Sequence, residues 1–188
     1  MKKIETKYFT ERLTWREWLE NNFETKDEVW LEYPLKKTGK ERIIYNDAVE
    51  EALCFGWIDS TVKSLNKETS IQRFCRRRDN STFSQANIER LKWLFENKLI
   101  HQSMIDDVSG IIQQDFIFPT DIIKQLKKEK VVWENYQHFS DSYKRIRIAY
   151  IESARKRPDE FNKRLKNFID KTRQKKTIKG FGGIEKYY

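Results

Sequence analysis

The sequence has little of what builds flexible linkers, disulfide frameworks or metal sites. Its 188 residues include only 6 glycines, 3 prolines, 2 cysteines and 2 histidines. So few glycines and prolines argue against long linkers or low-complexity segments. The two histidines, His101 and His138, lie far apart, and the sequence has no CxxC or HExxH motif, which argues against a zinc site. We therefore predict no metal ion and no cofactor.

Long hydrophobic runs are also missing, because no stretch approaches the ~20 apolar residues that cross a bilayer. The first residues, MKKIETKYFTERLTW, begin with basic side chains, but no apolar segment follows them as it does in a signal peptide. We therefore expect a cytoplasmic location, no membrane span, and free thiols at Cys54 and Cys75.

Aromatic and charged residues are abundant instead. The 12 Phe, 8 Tyr and 6 Trp can bury a large area in a core, although 36% of the residues are charged. The net charge of +9 is uneven: residues 1–115 hold 19 basic and 20 acidic residues, whereas residues 116–188 hold 19 basic and 9 acidic. A basic C-terminal part indicates either an anionic partner, such as nucleic acid or a membrane surface, or a solvated lysine-rich helical surface.

The first 112 residues are predicted to form an α+β domain, in which helices pack on a small antiparallel sheet. The expected strands are EVWLEYP, which ends at Pro34, then WIDSTVKSL, and then SIQRFCRRR after a hairpin turn at NKET. Helical periodicity occupies residues 10–21, a segment that begins at Asn46 or Asp47, and residues 85–97 and 101–112.

Helix ends are indicated by individual residues. Thr10 or Thr14, Asn46 and Ser84 are the expected N-caps of three of these helices. In the stretch EALCFGWIDS, Gly56 follows the second helix and is expected to end it with a positive φ, so that Trp57 opens a strand.

The rest of the chain is predicted to be an all-helical C-terminal bundle, residues 113–175. Ser140 or Asp141 is expected to cap one of its helices and Pro158 to begin another. The last residues, 176–188, have no helical period and are predicted to form a flexible basic tail.

A candidate ligand site lies on the two hairpin strands. Alternation puts Trp57 and Asp59 on one face of their strand, and it separates Arg73 and Arg77 from Arg76 on the other strand. An Asp59–Arg73 or Asp59–Arg77 pair could fix the strand register, or Trp57 could form an aromatic wall beside arginines that hold an anion. Lys36 and Ser84 are candidate neighbours of this site.

A second candidate is a basic surface on two of the C-terminal helices. Its cations are spaced along amphipathic segments: Lys144, Arg147, Arg155, Lys163 and Arg164. Such a surface could bind nucleic-acid phosphates or an acidic partner, but the sequence has no recognition-helix or RNA-platform motif. A solvated helix face is the alternative interpretation.

A long ordered pattern resembles a known family. The stretch runs from EEALCFGWIDS through IQRFCRRR to S-x-x-N-x-E-R, within residues 29–100, and is similar to the YdeI/OmpD-associated family of bacterial proteins, also called bacteriocin-protection proteins. The segment YIESARKRPDEFNKRL resembles the tail of that family. Cys75, Arg78 and Phe83 stand where relatives tend to have Thr, Pro and Trp, which weakens a chemical role for Cys75.

The resemblance implies protection against bacteriocins or antimicrobial peptides and association with envelope proteins, and it brings no catalytic residues. We therefore expect a non-enzymatic protein that binds an anionic ligand or an envelope-stress protein partner. Two alternatives stay open, a nucleic-acid-binding protein that uses the basic C-terminal helices and an enzyme of unknown reaction with a Trp/Asp/Arg pocket.

Overall fold

A computed structural model of the protein describes residues 5–78, 81–180 and 183–188. The chain divides into two compact units, each of which combines two separate stretches. The first unit comprises Met1–Thr82 and Leu91–Gly110, and the second comprises Phe83–Arg90 and Ile111–Tyr188. The domains predicted from the sequence, residues 1–112 and 113–175, differ from these units because each is one continuous stretch.

A four-stranded sheet with packed helices forms the first unit. Its strands are β1 (Thr6–Lys7), β2 (Glu28–Pro34), β3 (Trp57–Ser64) and β4 (Thr69–Arg76), in the order β1-β2-β4-β3. Its helices include α1 (Arg12–Asn22) and α2 (Tyr45–Cys54), and α3 (Gln85–Glu96) and α4 (Ile105–Ile112) follow. The predicted α+β class is confirmed. Three strands are antiparallel as expected, but β1 pairs with β2 in parallel, so the sheet is mixed.

One face of the sheet carries the core of the first unit. Val29 of β2 lies opposite Phe74 of β4, and Trp57 lies on the same face of β3. Helix α1 covers this face: Trp15 contacts the Phe74 ring at 5.5 Å between centroids, and Trp18 meets Trp57 edge to face at 6.0 Å. Large aromatic rings therefore fill the space between sheet and helix, as the composition predicts.

Helices α1 and α2 are also joined by a buried charged network. Glu50 and Glu51 of α2 are 0% and 2% exposed. Arg12 of α1 donates to both carboxylates, with 2.5 Å from Nη1 to Glu50 Oε2 and 2.5 Å from Nε to Glu51 Oε1. Arg16, one turn later, donates to Glu51 Oε2 at 2.7 Å. Since an unpaired buried charge is strongly unfavourable, these pairings are required for α2 to pack here.

The N-cap residues predicted for two helices are wrong. Helix α1 has Glu11 as its N-cap, and Thr14 lies inside the helix, where its hydroxyl donates to the Glu11 carbonyl. Helix α2 has Ile44 as its N-cap, and Asn46 is buried inside the helix, where its amide donates to Glu50 Oε1 at 2.7 Å. Asn46, which the local sequence pattern predicted to be a cap, is thus a buried residue inside α2.

Gly56 ends α2 as predicted. Its φ is +72°, and Trp57 begins β3 immediately after it. A Cβ added at Gly56 would lie 2.8 Å from Met104 Cε and 3.2 Å from its Sδ. The sharp turn from helix to strand therefore depends on the absence of a side chain.

We expect Gly56→Ala to lower the free energy of unfolding by about 1–2 kcal/mol, because alanine is strained in the left-handed region. Gly110→Ala is the matched control, because Gly110 lies in α4 and a Cβ there meets nothing within 4 Å. This second change is expected to stabilise by up to about 1 kcal/mol. Urea unfolding measures both values, and equal shifts in the two variants would contradict the role of Gly56.

The second unit is helical. Its elements include α5 (Thr120–Lys127), α6 (Lys130–Gln137), α7 (Asp141–Glu152), α8 (Pro158–Arg173) and a short 3-10 helix, Ile184–Tyr187. The predicted ends are confirmed at two of these helices: Ser140 caps α7 by accepting from the Tyr143 amide, and Pro158 is the first residue of α8. The aromatic and aliphatic core of this unit includes Ile122, Leu126, Val132, Tyr136, Tyr143, Ile148, Ile151 and Phe168.

The last described residues pack on the helices of this unit, which differs from the predicted flexible tail at 176–188. The Ile178 amide donates to the Tyr143 hydroxyl at 2.9 Å. Ile184 and Tyr187 are 3% and 7% exposed. Aromatic and aliphatic side chains spaced irregularly along this segment thus find partners that no helical period indicates. Phe181 and Gly182 of this predicted tail lie outside the described residues.

None of the helices formed by the described residues combines the length and the apolar character that a bilayer-spanning segment needs.

Candidate anion-binding cavity

The structure does not assemble the ligand site predicted around Trp57. The Trp57 side chain is 0% exposed, and its Nε1 donates to the Phe23 carbonyl at 3.3 Å. Asp59 lies opposite Phe74 and accepts a hydrogen bond from the Tyr45 hydroxyl at 2.6 Å. Trp57 is therefore a core residue that offers no surface to a ligand, and this part of the hypothesis is wrong.

The arginines of β4 are engaged elsewhere. Arg73 lies on the opposite face of the sheet from Asp59, where its Nε donates to Glu28 Oε2 at 2.7 Å. Arg76 donates to the carbonyls of Lys26 and Glu24. The predicted Asp59–Arg73 pair is therefore wrong, because the register of the hairpin turns the two side chains to different faces.

Arg77 and the two candidate neighbours are also separate features. Arg77 follows β4 and donates to the Ser81 carbonyl at 2.9 Å, and burial lowers the pKa of its guanidinium. Lys36 lies exposed in the 3-10 turn Lys36–Thr38. Ser84 accepts from the Asn87 amide at 3.3 Å, which confirms its predicted role as the N-cap of α3.

Both cysteines are free thiols, as predicted. Cys54 is fully buried, and burial raises the pKa of its thiol to about 12, so it is protonated and unreactive near neutral pH. Cys75 is half-buried, with its Sγ 3.4 Å from Arg73 Nη1. In the described part of the chain, no group of three or more His, Cys, Asp and Glu side chains is arranged to hold a metal ion.

The second unit contains a cavity of about 240 Å³. Its lining comes from α7, α8 and the segment after α8, and comprises Arg147, Tyr150, Ile151, Glu160, Lys163, Arg164, Asn167, Phe168 and Ile178. Sites for drug-sized ligands measure ~300–1,000 Å³, so this cavity suits a smaller molecule.

Helical spacing explains the two walls. Arg147, Tyr150 and Ile151 of α7 are three and four residues apart and so share one face of that helix. The five lining residues of α8 follow the same rule, because they begin at Glu160 and lie three, four, seven and eight residues apart along the chain. Ile178 adds an apolar contribution from the segment that the sequence predicted to be a flexible tail.

Arg147 is the most unusual residue of the lining, because its side chain is buried without a carboxylate. It is only 7% exposed. Its Nη2 donates to the Ile178 carbonyl at 2.6 Å and to the Tyr188 hydroxyl, while its Nε is buried with no hydrogen-bond partner. Among the described residues, no Asp or Glu lies within 4.0 Å of its guanidinium. A buried cation without a countercharge is unfavourable unless an anion binds beside it.

The tyrosines around Arg147 do not neutralise it. The rings of Tyr143 and Tyr188 lie 5.6 and 5.5 Å from its guanidinium carbon. Burial raises the pKa of both phenols above the ordinary value, so both carry their protons near neutral pH. They contribute ring faces and hydrogen-bond acceptors, and the positive charge of Arg147 stays uncompensated.

The other charges of the lining leave a positive surplus. Arg164 donates to Glu160 at 2.8 Å, and this hydrogen bond lowers the pKa of the Glu160 carboxyl, so the two form a compensated pair. Lys163 is exposed and has no acidic partner within 4.0 Å among the residues that the structure describes. Arg147 and Lys163 are thus the two uncompensated charges of the cavity.

Three of the five cations of the predicted basic surface therefore line one cavity. The other two lie outside it: Lys144 contacts Asp141 at 3.2 Å, and Arg155 pairs with both Asp121 and Glu152. Six lining residues were not predicted from the sequence: Tyr150, Ile151, Glu160, Asn167, Phe168 and Ile178. The helical spacing from the predicted cations indicates the first five, whereas only the packing of the final segment places Ile178.

Two family models match the chain. Residues 7–107, more than half of the chain, match the family described as Domain of unknown function (DUF8412). The chain belongs to this family. Residues 115–175 match the family described as Bacteriocin-protection, YdeI or OmpD-Associated, which confirms the predicted resemblance. The motif quoted within residues 29–100 lies in the range that the first family matches, while the C-terminal segment lies in the second.

No curated protein and no solved structure gives a significant match. Eight of the nine lining residues of the cavity lie within residues 115–175, and only Ile178 falls outside this range. The cavity is therefore a feature of the part of the chain that matches the bacteriocin-protection family.

Proposed function

We propose that the second unit binds a small organic anion in the cavity between α7 and α8. The observation that carries this proposal is Arg147, a cation 7% exposed that has no carboxylate within 4.0 Å among the described residues. A bound anion beside the guanidinium would supply the missing charge. Burial of an unpaired charge is otherwise hard to reconcile with a stable fold.

The lining favours a ligand with one anionic group and an apolar body. Phe168 and Ile151 are 1% exposed and Tyr150 is 50% exposed, so they supply ring and aliphatic surface from the base to the mouth. Lys163 adds a mobile ammonium group at the mouth. An aromatic or aliphatic carboxylate or phosphate ester of modest size matches this combination.

A small anion accounts for the basic helices better than nucleic acid does. Lys144, Arg155 and Arg164 are held by acidic side chains, so much of the predicted phosphate-binding surface is already neutralised. Nucleic-acid binding needs several free cations along one surface, because affinity comes mainly from phosphate neutralisation. The cavity, by contrast, concentrates its free charge at two residues.

The matched family description supports a role in protection against bacteriocins, and we propose that ligand binding serves such a role without a catalytic step. We propose the cytoplasm as its location. The partner of the protein in antimicrobial or envelope stress depends on which anion the cavity binds.

Titration calorimetry with benzoate, phenyl phosphate and inorganic phosphate tests the proposal. We expect phenyl phosphate or benzoate to bind more tightly than inorganic phosphate, because only they fill the apolar part of the cavity. Arg147→Met is expected to weaken binding by roughly 10- to 100-fold, the usual loss of a hydrogen bond to a charged group.

Two exposed lysines of α8 give a matched control. Lys163→Gln removes a lining charge, whereas Lys166→Gln removes an exposed charge of the same helix that does not line the cavity. Only the first should weaken binding. Equal affinity in both variants, or no binding of any of the three probes, would overturn the proposal. Tight binding of single-stranded DNA with a steep salt dependence would favour the nucleic-acid alternative instead.

A further inference from the structure

In the first unit, the end of β2, the end of β3 and the start of β4 lie side by side and carry two exposed connecting segments. Strand β2 ends at Pro34, which pairs with Thr69 at the start of β4, and Ser64 at the end of β3 lies opposite Ser70. The Leu35 amide donates to the Glu68 carbonyl at 2.7 Å, which ties the segment after β2 to the hairpin turn. We call segments 35–44 and 62–69 together the strand-end surface.

The strand-end surface exposes four aliphatic side chains. Their exposed fractions range from 38% to 66%, for Leu35, Leu65, Val62 and Ile44. Arg42 Nη1 donates to the Pro34 carbonyl at 2.9 Å, which holds the part of the surface that carries Ile44 against the end of β2. Exposed aliphatic side chains add little to the core of the fold, so four of them within these two segments indicate a contact surface.

Lysines surround these aliphatic residues. The two segments contain six basic and two acidic side chains. Four of the lysines are exposed and, among the described residues, have no acidic group within 4.0 Å: Lys36, Lys37, Lys40 and Lys67. The strand-end surface therefore offers free positive charge together with apolar side chains.

We propose that the strand-end surface docks on an anionic lipid surface. Aliphatic side chains gain free energy when they enter the boundary between headgroups and acyl chains, and lysines are attracted to anionic headgroups around them. Phosphates of a nucleic acid would satisfy the lysines but leave Leu35, Ile44, Val62 and Leu65 in water. Protein interfaces favour aromatic residues and arginine and are poor in lysine, which is the opposite of this composition.

The type of basic side chain also favours an anionic lipid surface. A lysine ammonium is a compact charge on a flexible stem, which suits a fluid surface where headgroups have no fixed position. The single arginine of the surface, Arg42, is instead committed to a backbone carbonyl. The docking does not need a spanning helix, because the aliphatic side chains reach only the interfacial layer.

Vesicle sedimentation tests this inference with the full chain at about 0.1 M salt. We expect the protein to sediment with vesicles of phosphatidylcholine mixed with phosphatidylserine, and to stay in solution with phosphatidylcholine alone. Lys36→Glu with Lys67→Glu is expected to reduce partitioning by roughly tenfold or more, and Leu35→Asp with Leu65→Asp by a similar factor.

Matched controls come from the second unit. Lys128→Glu with Lys166→Glu makes the same change in net charge at exposed lysines, and Ile117→Asp changes an aliphatic residue that is 86% exposed. These variants should partition like the unchanged protein. Equal losses in variants and controls, or no sedimentation with anionic vesicles, would overturn the docking surface. Binding of small anions in the cavity should stay the same in the strand-end variants, so that the two proposals are tested separately.

Discussion

Arg12→Ala is expected to lower the free energy of unfolding by about 3–5 kcal/mol, because it removes one partner of a buried charged network. Arg12 bonds to Glu50 and Glu51, which are 0% and 2% exposed. Glu51 keeps Arg16 in the variant, but Glu50 loses its arginine while it stays buried. The Glu50 carboxylate must then either stay charged without that countercharge or take up a proton, and either outcome favours the unfolded state.

Urea unfolding followed by tryptophan fluorescence measures this loss. Arg173→Ala is the matched control, because Arg173 also bonds to two carboxylates, Glu129 and Asp170, but does so on the exposed surface. Exposed ion pairs contribute little, so the control should unfold close to the unchanged protein. Arg12→Met combined with Glu50→Gln should recover part of the stability lost in Arg12→Met alone, because it removes the buried charge that has lost its arginine. Similar midpoints for Arg12→Ala and Arg173→Ala would contradict the importance of burial.

Trp57→Ala is expected to cost about 3–5 kcal/mol of stability, the usual range for removing a large buried aromatic side chain. Trp57 is 0% exposed and packs edge to face against Trp18 of α1. Its loss leaves a cavity between sheet and helix that the surrounding rings can only partly fill. Affinity for a small anion should not change in the folded fraction, because Trp57 lies in the first unit.

Tyr150→Ala should show the reverse behaviour. Tyr150 is 50% exposed and lines the cavity, so its loss should weaken ligand binding with little effect on the unfolding midpoint. Trp57→Phe provides a milder second variant that keeps a ring in the core and should remain folded. Calorimetry and thermal unfolding of the three variants separate the two roles. Loss of ligand binding in Trp57→Phe, with an unchanged midpoint, would return Trp57 to a binding role.

The sequence by itself determined the features that depend on neighbouring residues. Gly56 predicts its own left-handed turn, Ser84 and Ser140 predict the helix starts that they cap, and Pro158 predicts the first turn of α8. These signals are reliable because a turn or a cap involves only backbone groups within about four residues. The α+β class followed for the same reason, since apolar periodicity is a local property of the chain.

Only the tertiary structure decided which side chains meet. Alternation placed Trp57 and Asp59 on one face of β3, but the register with β4 decided that Arg73 points to the other face, and α1 decided that Trp57 is buried. The same holds for Arg147, whose sequence neighbours mark it only as one cation among many. Its burial, and the contact with Ile178 that completes the cavity, depend on a segment 31 residues away. Contacts over such distances arise from packing of whole elements, which no local pattern of charge or hydrophobicity encodes.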